Sequence, residues 1–302
     1  MTKLDSLFEK FLSNINPNAD AVAYAIEAHW PVREFLENDK DFGQYFVDSF
    51  LYGSYKRHTA VGSIKDVDIV ILTNFDPDCD EHTPDKVLRK LKSALAKHYG
   101  NPENPEYQRR SIRINQPLPN RKDCEMTLDI IPAIAVNGDE KPLRVPDRET
   151  KDWIWSHPKA HITHSSELNR DENSEGRFIP LVKILKWWWK YQCTVIQPKV
   201  ERPKPKGFWI EVLTGENLDT SQHFYADHFI AVLENISTKY SGFGRVPDLR
   251  DPGLQGEYVN TNMTLEEFSV FLQAVTESLE LAKQARDETN DLESSKKLFK
   301  KV

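Results

Sequence analysis

Apolar residues recur along this chain with helical spacing near both ends and with strand-like spacing in between. LDSLFEKFLSNI carries a helical stripe that ends before an Asn-Pro step, and a second helical pattern covers roughly Asp20 to Asn38. DKVLRKLKSALAKHYG predicts a helix capped by Gly100. Four further helices are predicted by FIPLVKILKWWWKYQ, FWIEVLTGEN, YADHFIAVLENISTKY and MTLEEFSVFLQAVTESLELAKQARDE.

Three segments between these helices have the pattern of strands. They are DVDIVILTNF, RRSIRINQ and CEMTLDIIPAIAV, whereas residues 151–177 are polar and predict irregular structure. We therefore expect an α+β fold with two lobes and a central cleft that holds the chemistry. Residues 1–150 would form a core with a mixed sheet flanked by helices, and 151–302 a mostly helical second lobe. The N-terminal helices would pack across both lobes.

Composition and charge narrow the class of protein. The net charge of the 302 residues is -7 and the isoelectric point is about 5.8, so no long nucleic acid is expected as a partner. No apolar run is long enough for a membrane span, and the N-terminus lacks the pattern of a signal peptide. The three cysteines are far apart, which favours a reducing, cytoplasmic location.

Carboxylates stand at unusual places in two of the predicted strands. Asp66 and Asp68 are two residues apart, so on a strand they share one face, and Asp129 lies inside another β-rich segment. Three carboxylates on adjacent strands repel one another unless cations lie among them, and oxygen ligands suit Mg²⁺ or Mn²⁺. The alternative is that Asp66 caps a turn and Asp129 is a chance polar residue on an edge.

A glycine-serine step precedes these carboxylates and predicts a phosphate contact. Gly53 and Ser54 lie in the segment FLYGSYKRHTAVG, which predicts a short helix or turn entered through the Gly-Ser step. Backbone N–H groups and a hydroxyl at such a point can bind an anion. Neither of the glycine-rich patterns GxxxxGK[ST] and GxGxxG is present, so phosphate would be recognised in a different way.

Taken together, GSYKRHTAVGSIKDVDIVIL and MTLDIIPAI resemble the signature of the polymerase-β-like nucleotidyltransferases. More narrowly, the chain is similar to the CD-NTases, also called SMODS nucleotidyltransferases, which are bacterial relatives of cyclic GMP–AMP synthase. The resemblance implies a polymerase-β-like core and two bound Mg²⁺ or Mn²⁺ ions. Asp66, Asp68 and Asp129 would be both the catalytic residues and the metal ligands.

The same resemblance extends to PLVKILKWWWKYQ and PKPKGFWIEVL. It implies that Lys186 contacts the donor phosphates together with Gly53 and Ser54, that Lys183 assists, and that Phe208 stacks on a nucleobase. The chain departs from the family at Gly207, where a serine is frequent. An ordinary solvated helix face is the alternative explanation of the two lysines.

The implied activity is the condensation of ribonucleoside triphosphates (ATP, GTP, UTP or CTP) into a cyclic di- or trinucleotide second messenger, with release of pyrophosphate. The implied setting is bacterial antiphage signalling of the CBASS type, with a regulatory or effector protein as an expected partner. Two alternatives stay open. One is a terminal nucleotidyltransferase acting on tRNA or other RNA, as CCA-adding enzymes do, and the other is a silent nucleotide-binding scaffold.

Weaker signals leave further questions open. His157, His161 and His164 are close enough in sequence for zinc binding, although no cysteine pair accompanies them and a polar lid explains them as well. Arg113 lies in the strand before Asp129 and is as consistent with a solvent face as with a site. The sequence specifies neither the bases, ring size and linkage of the product nor the need for an activator or the oligomeric state.

Overall fold

The computed structural model describes residues 3–64, 66–118, 121–196, 204–259 and 262–287. Within these ranges the chain forms nine α-helices: α1 Lys3–Ile15, α2 Ala19–Asn38, α3 Gly53–Lys56, α4 Pro84–Tyr99, α5 Pro158–Arg170, α6 Phe178–Ile196, α7 Gly207–Glu216, α8 Tyr225–Tyr240 and α9 Leu265–Asp287. The same ranges contain seven strands: β1 Phe46–Tyr52, β2 Asp66–Thr73, β3 Glu106–Tyr107, β4 Ile112–Leu118, β5 Arg121–Ile134, β6 Leu143–Asp147 and β7 Asp152–Ser156.

The chain divides into two compact units. The sheet unit spans Pro17–His164, and the helical unit combines Met1–Asn16 with Ser165–Val302. The boundary therefore falls inside α5, and α1 belongs to the same unit as α6 to α9. The predicted functional division at residue 150, into a catalytic core and a second lobe, stays a prediction.

All seven strands of the sheet unit belong to one mixed sheet. Five of them follow the order β1-β2-β5-β4-β3, β6 pairs with β5, and β7 pairs with β6. The β2–β5 pair is parallel and the other pairs are antiparallel. The predicted α+β class with a mixed sheet is confirmed.

Strand β2 lies in the middle of this unit, and apolar residues cover both of its faces. Val67, Ile69 and Ile71 are fully buried in the larger core, which includes residues of α2 and α4. Val70 and Leu72 point to the opposite face and pack in a smaller cluster with residues of β5 and β6. By strand alternation, the two aspartates at the start of β2 share the face of this smaller cluster.

The helical unit packs around aromatic side chains. Trp188 and Trp189 of α6 are buried and contact Phe271 of α9 edge-on, as does Trp209 of α7. The buried Asp5 of α1 accepts a hydrogen bond from the first backbone N–H of α8, at 2.8 Å. Among the described helices, none combines the length and the apolar character needed to cross a membrane.

The long predicted helices are confirmed. In the segment predicted as a short helix or turn, however, Phe50 to Tyr52 belong to strand β1, and helix α3 covers Gly53–Lys56. Helix α4 ends as expected at Gly100, which adopts a left-handed conformation with φ of 60°. The prediction of irregular structure over 151–177 is wrong, because strand β7 and helix α5 lie there. Strands β1, β3 and β6 were not predicted either. Strand β7 pairs with β6 in a short hairpin. Neither β7 nor the His- and Ser-rich α5 has a clear apolar period, so the local pattern does not predict them.

Candidate active site

Two parallel strands bring the predicted carboxylates together. In the β2–β5 pair, Asp68 lies directly opposite Asp129, and Asp66 lies opposite Thr127. Since residues paired in register on adjacent strands project to the same face, all three carboxylates share one face of the sheet. The sequence predicted that these aspartates would be neighbours, and the register explains why.

Gly53 allows the chain to approach these carboxylates closely. A Cβ atom built at this position would lie 1.7 Å from Oδ2 of Asp68, and the backbone φ is +72°. Any side chain would therefore collide with the carboxylate and strain the backbone. Ser54 follows in the short helix α3, is half-buried, and its carbonyl accepts a hydrogen bond from the backbone of Thr59.

Asp129 is bound by an arginine from the strand on its other side. Arg113 of β4 donates two hydrogen bonds to Asp129, from Nε to Oδ1 at 3.1 Å and from Nη2 to Oδ2 at 2.7 Å. Ser111 also approaches Oδ1, at 3.4 Å. This bidentate pair fixes the plane of the carboxylate and raises the pKa of Arg113. Arg113 is thus a residue of the site, which the sequence left undecided.

The electrostatics of the site favour a cation. Burial, followed by the charges of Asp66 and Asp129, raises the pKa of Asp68 to about 7, although Arg57 and Arg113 act in the opposite direction. A divalent cation beside Asp66 and Asp68 would remove this penalty, and the oxygen-only donors suit Mg²⁺ or Mn²⁺. Among the described residues, however, no group of three His, Cys, Asp or Glu side chains is arranged to hold a metal ion. The Asp66–Asp68 pair fits a cation, while Asp129 is engaged by Arg113.

The remaining predicted residues lie in the helical unit. Lys186 of α6 forms an ion pair with Glu211 of α7, with Nζ 2.9 Å from Oε2. Lys183 donates to Oδ1 of Asn16 at 2.8 Å, and burial, together with the charge of Lys186, lowers its pKa. Phe208 is half-buried at the start of α7. The phosphate and base contacts of these three predicted residues stay predictions.

Two buried charged residues were missed by the sequence reading. Arg57 is 4% exposed at the end of the Gly-Ser segment, with its guanidinium 5.3 Å from the ring centre of Tyr52. Glu211 is buried in α7. A signal for it was present, because a single acidic residue inside the apolar run FWIEVLTG requires a buried partner.

Two histidines of the predicted cluster contact other protein groups. Nδ1 of His161 lies 2.8 Å from the hydroxyl of Tyr52, and Nε2 of His157 lies 3.2 Å from the carbonyl oxygen of Glu140. The described part of the chain offers no three-ligand metal site, so nothing there supports the zinc alternative.

Comparisons with known proteins agree with the geometry of the carboxylates. Residues 1–169 match the family model of the Second Messenger Oligonucleotide or Dinucleotide Synthetase domain. The chain is 33% identical to a cyclic AMP-AMP-AMP synthase of Acinetobacter sp. (strain ATCC 27244 / 9458), over 94% of this chain and 80% of that protein. It is 26% identical to a cyclic AMP-AMP-GMP synthase of Enterobacter hormaechei subsp. hoffmannii (strain UCI 50), over 94% of this chain and 86% of the relative.

A solved structure of CdnC from E. coli MS115-1 with ATP superimposes with a TM-score of 0.74 at 16% identity, over 99% of this chain and 96% of that one. The same E. coli protein in its complex with HORMA-deltaN gives a TM-score of 0.72 at 14% identity, over 98% and 95% of the two chains. At 14–16% identity these two structures show a shared fold. The family match and the Acinetobacter relative show which family the chain belongs to. The chain therefore belongs to the second messenger oligonucleotide or dinucleotide synthetases, the CD-NTases, and is a nucleotidyltransferase that makes a cyclic oligonucleotide messenger.

Proposed function

We propose that the enzyme joins ribonucleoside triphosphates, ATP above all, into a cyclic trinucleotide, and that it does so with two Mg²⁺ or Mn²⁺ ions. The observation that carries the metal-dependent chemistry is the register of β2 and β5, which sets Asp68 opposite Asp129 while Gly53 lies against Asp68. The preference for adenine is supported by the two relatives, whose names both give products with at least two AMP units.

In each step the ribose hydroxyl of an acceptor nucleotide attacks the α-phosphorus of a donor. The bond between the α-phosphorus and the oxygen bridging to the β-phosphate breaks, and pyrophosphate leaves. Ring closure repeats the step within the linear product, whose terminal hydroxyl attacks its own 5′ α-phosphorus. When bound at these carboxylates, divalent ions would activate the hydroxyl and stabilise the charge that develops on the leaving group.

The residues of this chain have separate roles in the proposal. Asp66 and Asp68 would hold the ions. Asp129, which Arg113 orients by two hydrogen bonds, would complete one site and help to activate the attacking hydroxyl as it loses its proton. Positioning supplies most of the catalysis in phosphoryl and nucleotidyl transfer, and Ser54 provides it here at the donor triphosphate.

The helical unit supplies the rest of the nucleotide site in this proposal. Lys186 binds the donor phosphates with assistance from Lys183, and Phe208 stacks on a base, an interaction that is worth about 1–3 kcal/mol per base in other nucleic-acid systems. We also assign the chain to the cytoplasm and to CBASS-type antiphage signalling. A regulatory protein partner is supported by the HORMA-deltaN complex of the E. coli relative.

The direct test incubates purified protein with the four ribonucleoside triphosphates and Mg²⁺ or Mn²⁺, without RNA, and identifies phosphatase-resistant products by mass spectrometry. We expect a cyclic product rich in AMP that falls by at least about a hundredfold in Asp66→Asn and in Asp68→Asn. Circular dichroism of the variants controls for folding.

The other possible outcomes separate the alternatives. Linear products, or incorporation that requires added RNA, would favour a terminal nucleotidyltransferase. Equal silence of the wild type and the variants, together with ATP binding, would favour a nucleotide-binding scaffold. A cyclic product without AMP would overturn the base preference and leave the metal chemistry in place.

A further inference from the structure

The ammonium group of Lys186 is held in a buried ion pair. The side chains of Lys186 and Glu211 are 9% and 1% exposed, and Nζ lies 2.9 Å from Oε2. The other carboxylate oxygen, Oε1, accepts a hydrogen bond of 2.6 Å from Oγ of Ser165, which is itself buried. Both oxygens of Glu211 therefore have partners, and the carboxylate is fixed in plane and direction.

Burying an ion pair costs free energy unless both charged groups are closely paired and hydrogen-bonded. Removing two charges from water costs several kcal/mol per ion, and only close pairing with additional hydrogen bonds offsets that cost. A lysine side chain also loses about 2 kcal/mol of rotamer entropy when it is held in one position. Glu211 of α7 therefore holds the ammonium group of Lys186, at the end of a flexible side chain, in one position.

Gly207 leaves the space through which the lysine stem passes. A Cβ atom built at this position would lie 3.3 Å from Cε and 3.8 Å from Nζ of Lys186. The first distance is tighter than an ordinary van der Waals contact, so a side chain here would displace the lysine stem. The departure from serine at position 207, noted in the sequence, is thereby coupled to the position of Lys186.

We propose that Glu211 is a positioning residue for nucleotide binding. It holds the Lys186 ammonium in place for the triphosphate, Ser165 orients its carboxylate, and Gly207 provides the room. The inference rests on the proposed role of Lys186 at the donor phosphates. Glu211 itself does not touch the nucleotide and acts through the lysine.

The test compares the affinities of the full-length chain for a non-hydrolysable ATP analogue and for AMP, both with Mg²⁺, by calorimetry. A hydrogen bond to a charged group is typically worth a tenfold to a hundredfold change in affinity, so we expect Glu211→Gln to weaken the ATP analogue about tenfold. The affinity for AMP should be unchanged, because the triphosphate end is the part affected. Ser165→Ala, which keeps the ion pair, should weaken the analogue about threefold.

A double-mutant cycle separates positioning from general stability. In a Lys186→Met background, Glu211→Met should cause no further loss of affinity for the analogue if Glu211 acts through the lysine. The matched control is Ser278→Ala, which breaks a buried 2.9 Å hydrogen bond to Trp188 in the same unit. We expect the control to lower the melting temperature and to leave both affinities unchanged.

The other outcomes distinguish a failure of the proposed role of Lys186 from a failure of the role of Glu211. If Lys186→Met leaves binding of the analogue unchanged, the proposed role of the lysine fails and the inference fails with it. If Lys186→Met weakens binding while Glu211→Gln and Ser165→Ala do not, the role of the lysine stands and positioning by Glu211 is wrong. Should Glu211→Gln not fold, Ser165→Ala and the double-mutant cycle decide.

Discussion

Gly53 lies directly against a carboxylate of the candidate active site. Its missing side chain is what allows the backbone to lie against the Asp68 carboxylate, since a Cβ atom would come within 1.7 Å of Oδ2. The resemblance places Gly53 among the nucleotide-binding residues, and the structure adds a steric reason for glycine at this position. The collision is with a carboxylate that β2 fixes from its buried side, so the carboxylate has little room to yield.

Gly53→Ala should reduce cyclic product by at least about a hundredfold, because it displaces the Asp68 carboxylate that the proposal assigns to a metal ion. Product formation and thermal unfolding are the measurements. Gly100→Ala is a matched control, since Gly100 also has a positive φ, of 60°, but a methyl group there would meet no atom within 4 Å. The control should cost about 1 kcal/mol of stability with activity retained. Equal activity of the two variants would contradict the prediction.

Asp68 predicts a dependence of stability on pH and metal. Its folded pKa is about 7, above the ordinary value of 3.8. Because the folded state binds this proton more tightly than the unfolded state, the charge of Asp68 destabilises the metal-free protein progressively as the pH rises from about 4 to about 7. Above the folded pKa the full penalty is present.

Asp68→Asn should therefore raise the melting temperature of the metal-free protein by about 5 °C at pH 8 and leave it nearly unchanged at pH 4. Thermal unfolding in EDTA across this pH range is the measurement, with Glu27→Gln on the exposed side of α2 as the control. Mg²⁺ should stabilise the wild type more than the variant. A variant that is less stable at every pH would show that the carboxylate is needed structurally.

At the scale of elements, an ion pair joins the adjacent strands β4 and β5 within the candidate site. Arg113 lies opposite Asp129 in register, so the two strands set the bidentate geometry. Both side chains are mostly buried, at 23% and 13% exposure. The guanidinium therefore compensates one of three neighbouring carboxylates in the metal-free protein.

Arg113→Met should lower the free energy of unfolding of the metal-free protein by about 1–3 kcal/mol, and Mg²⁺ should restore more stability to the variant than it adds to the wild type. Chemical denaturation with and without Mg²⁺ measures both. Thr127→Val breaks a hydrogen bond to Asn115 on the same two strands without changing charge, so its response to Mg²⁺ should match the wild type. An identical response in Arg113→Met would refute the compensation.

Some of these elements and contacts could be predicted from the sequence, and others could not. Strand β2 and helix α4 were predicted because a β-branched run and a clear apolar stripe report local structure directly. Strand β7 was not, since its five residues lack a clear alternation although it pairs with the neighbouring β6. Helix α5 was not, since its contacts involve residues distant in sequence, such as Tyr52 and Glu211. The contact of Lys186 with Glu211 was also unpredictable, because the two residues lie on different helices, 25 positions apart. The carboxylates were predictable since their chemistry left a pattern within single strands.

At the scale of the whole molecule, α1 belongs to a unit whose other helices follow it by more than 150 residues. Asp5 accepts a hydrogen bond from the first backbone N–H of α8, as an N-terminal capping residue does.

Asp5→Ala should lower the free energy of unfolding by about 1 kcal/mol. Denaturant unfolding measures this, with the exposed Glu9→Ala on the same helix as the control. Equal effects of the two changes would show that the contact with α8 contributes nothing.

A unit assembled from distant parts of the chain imposes an order on biosynthesis. The sheet unit is continuous and can fold while translation proceeds, but α1 cannot make its contact with α8 until α8 has left the ribosome, about 225 residues after α1 ends. At roughly 5–20 residues per second that wait lasts about 10–45 s. The carboxylates are thus in place on the nascent chain before the lysine of α6 has its partner from α7. If Lys186 binds the donor phosphates as proposed, an unfinished polypeptide would make no messenger during its own synthesis.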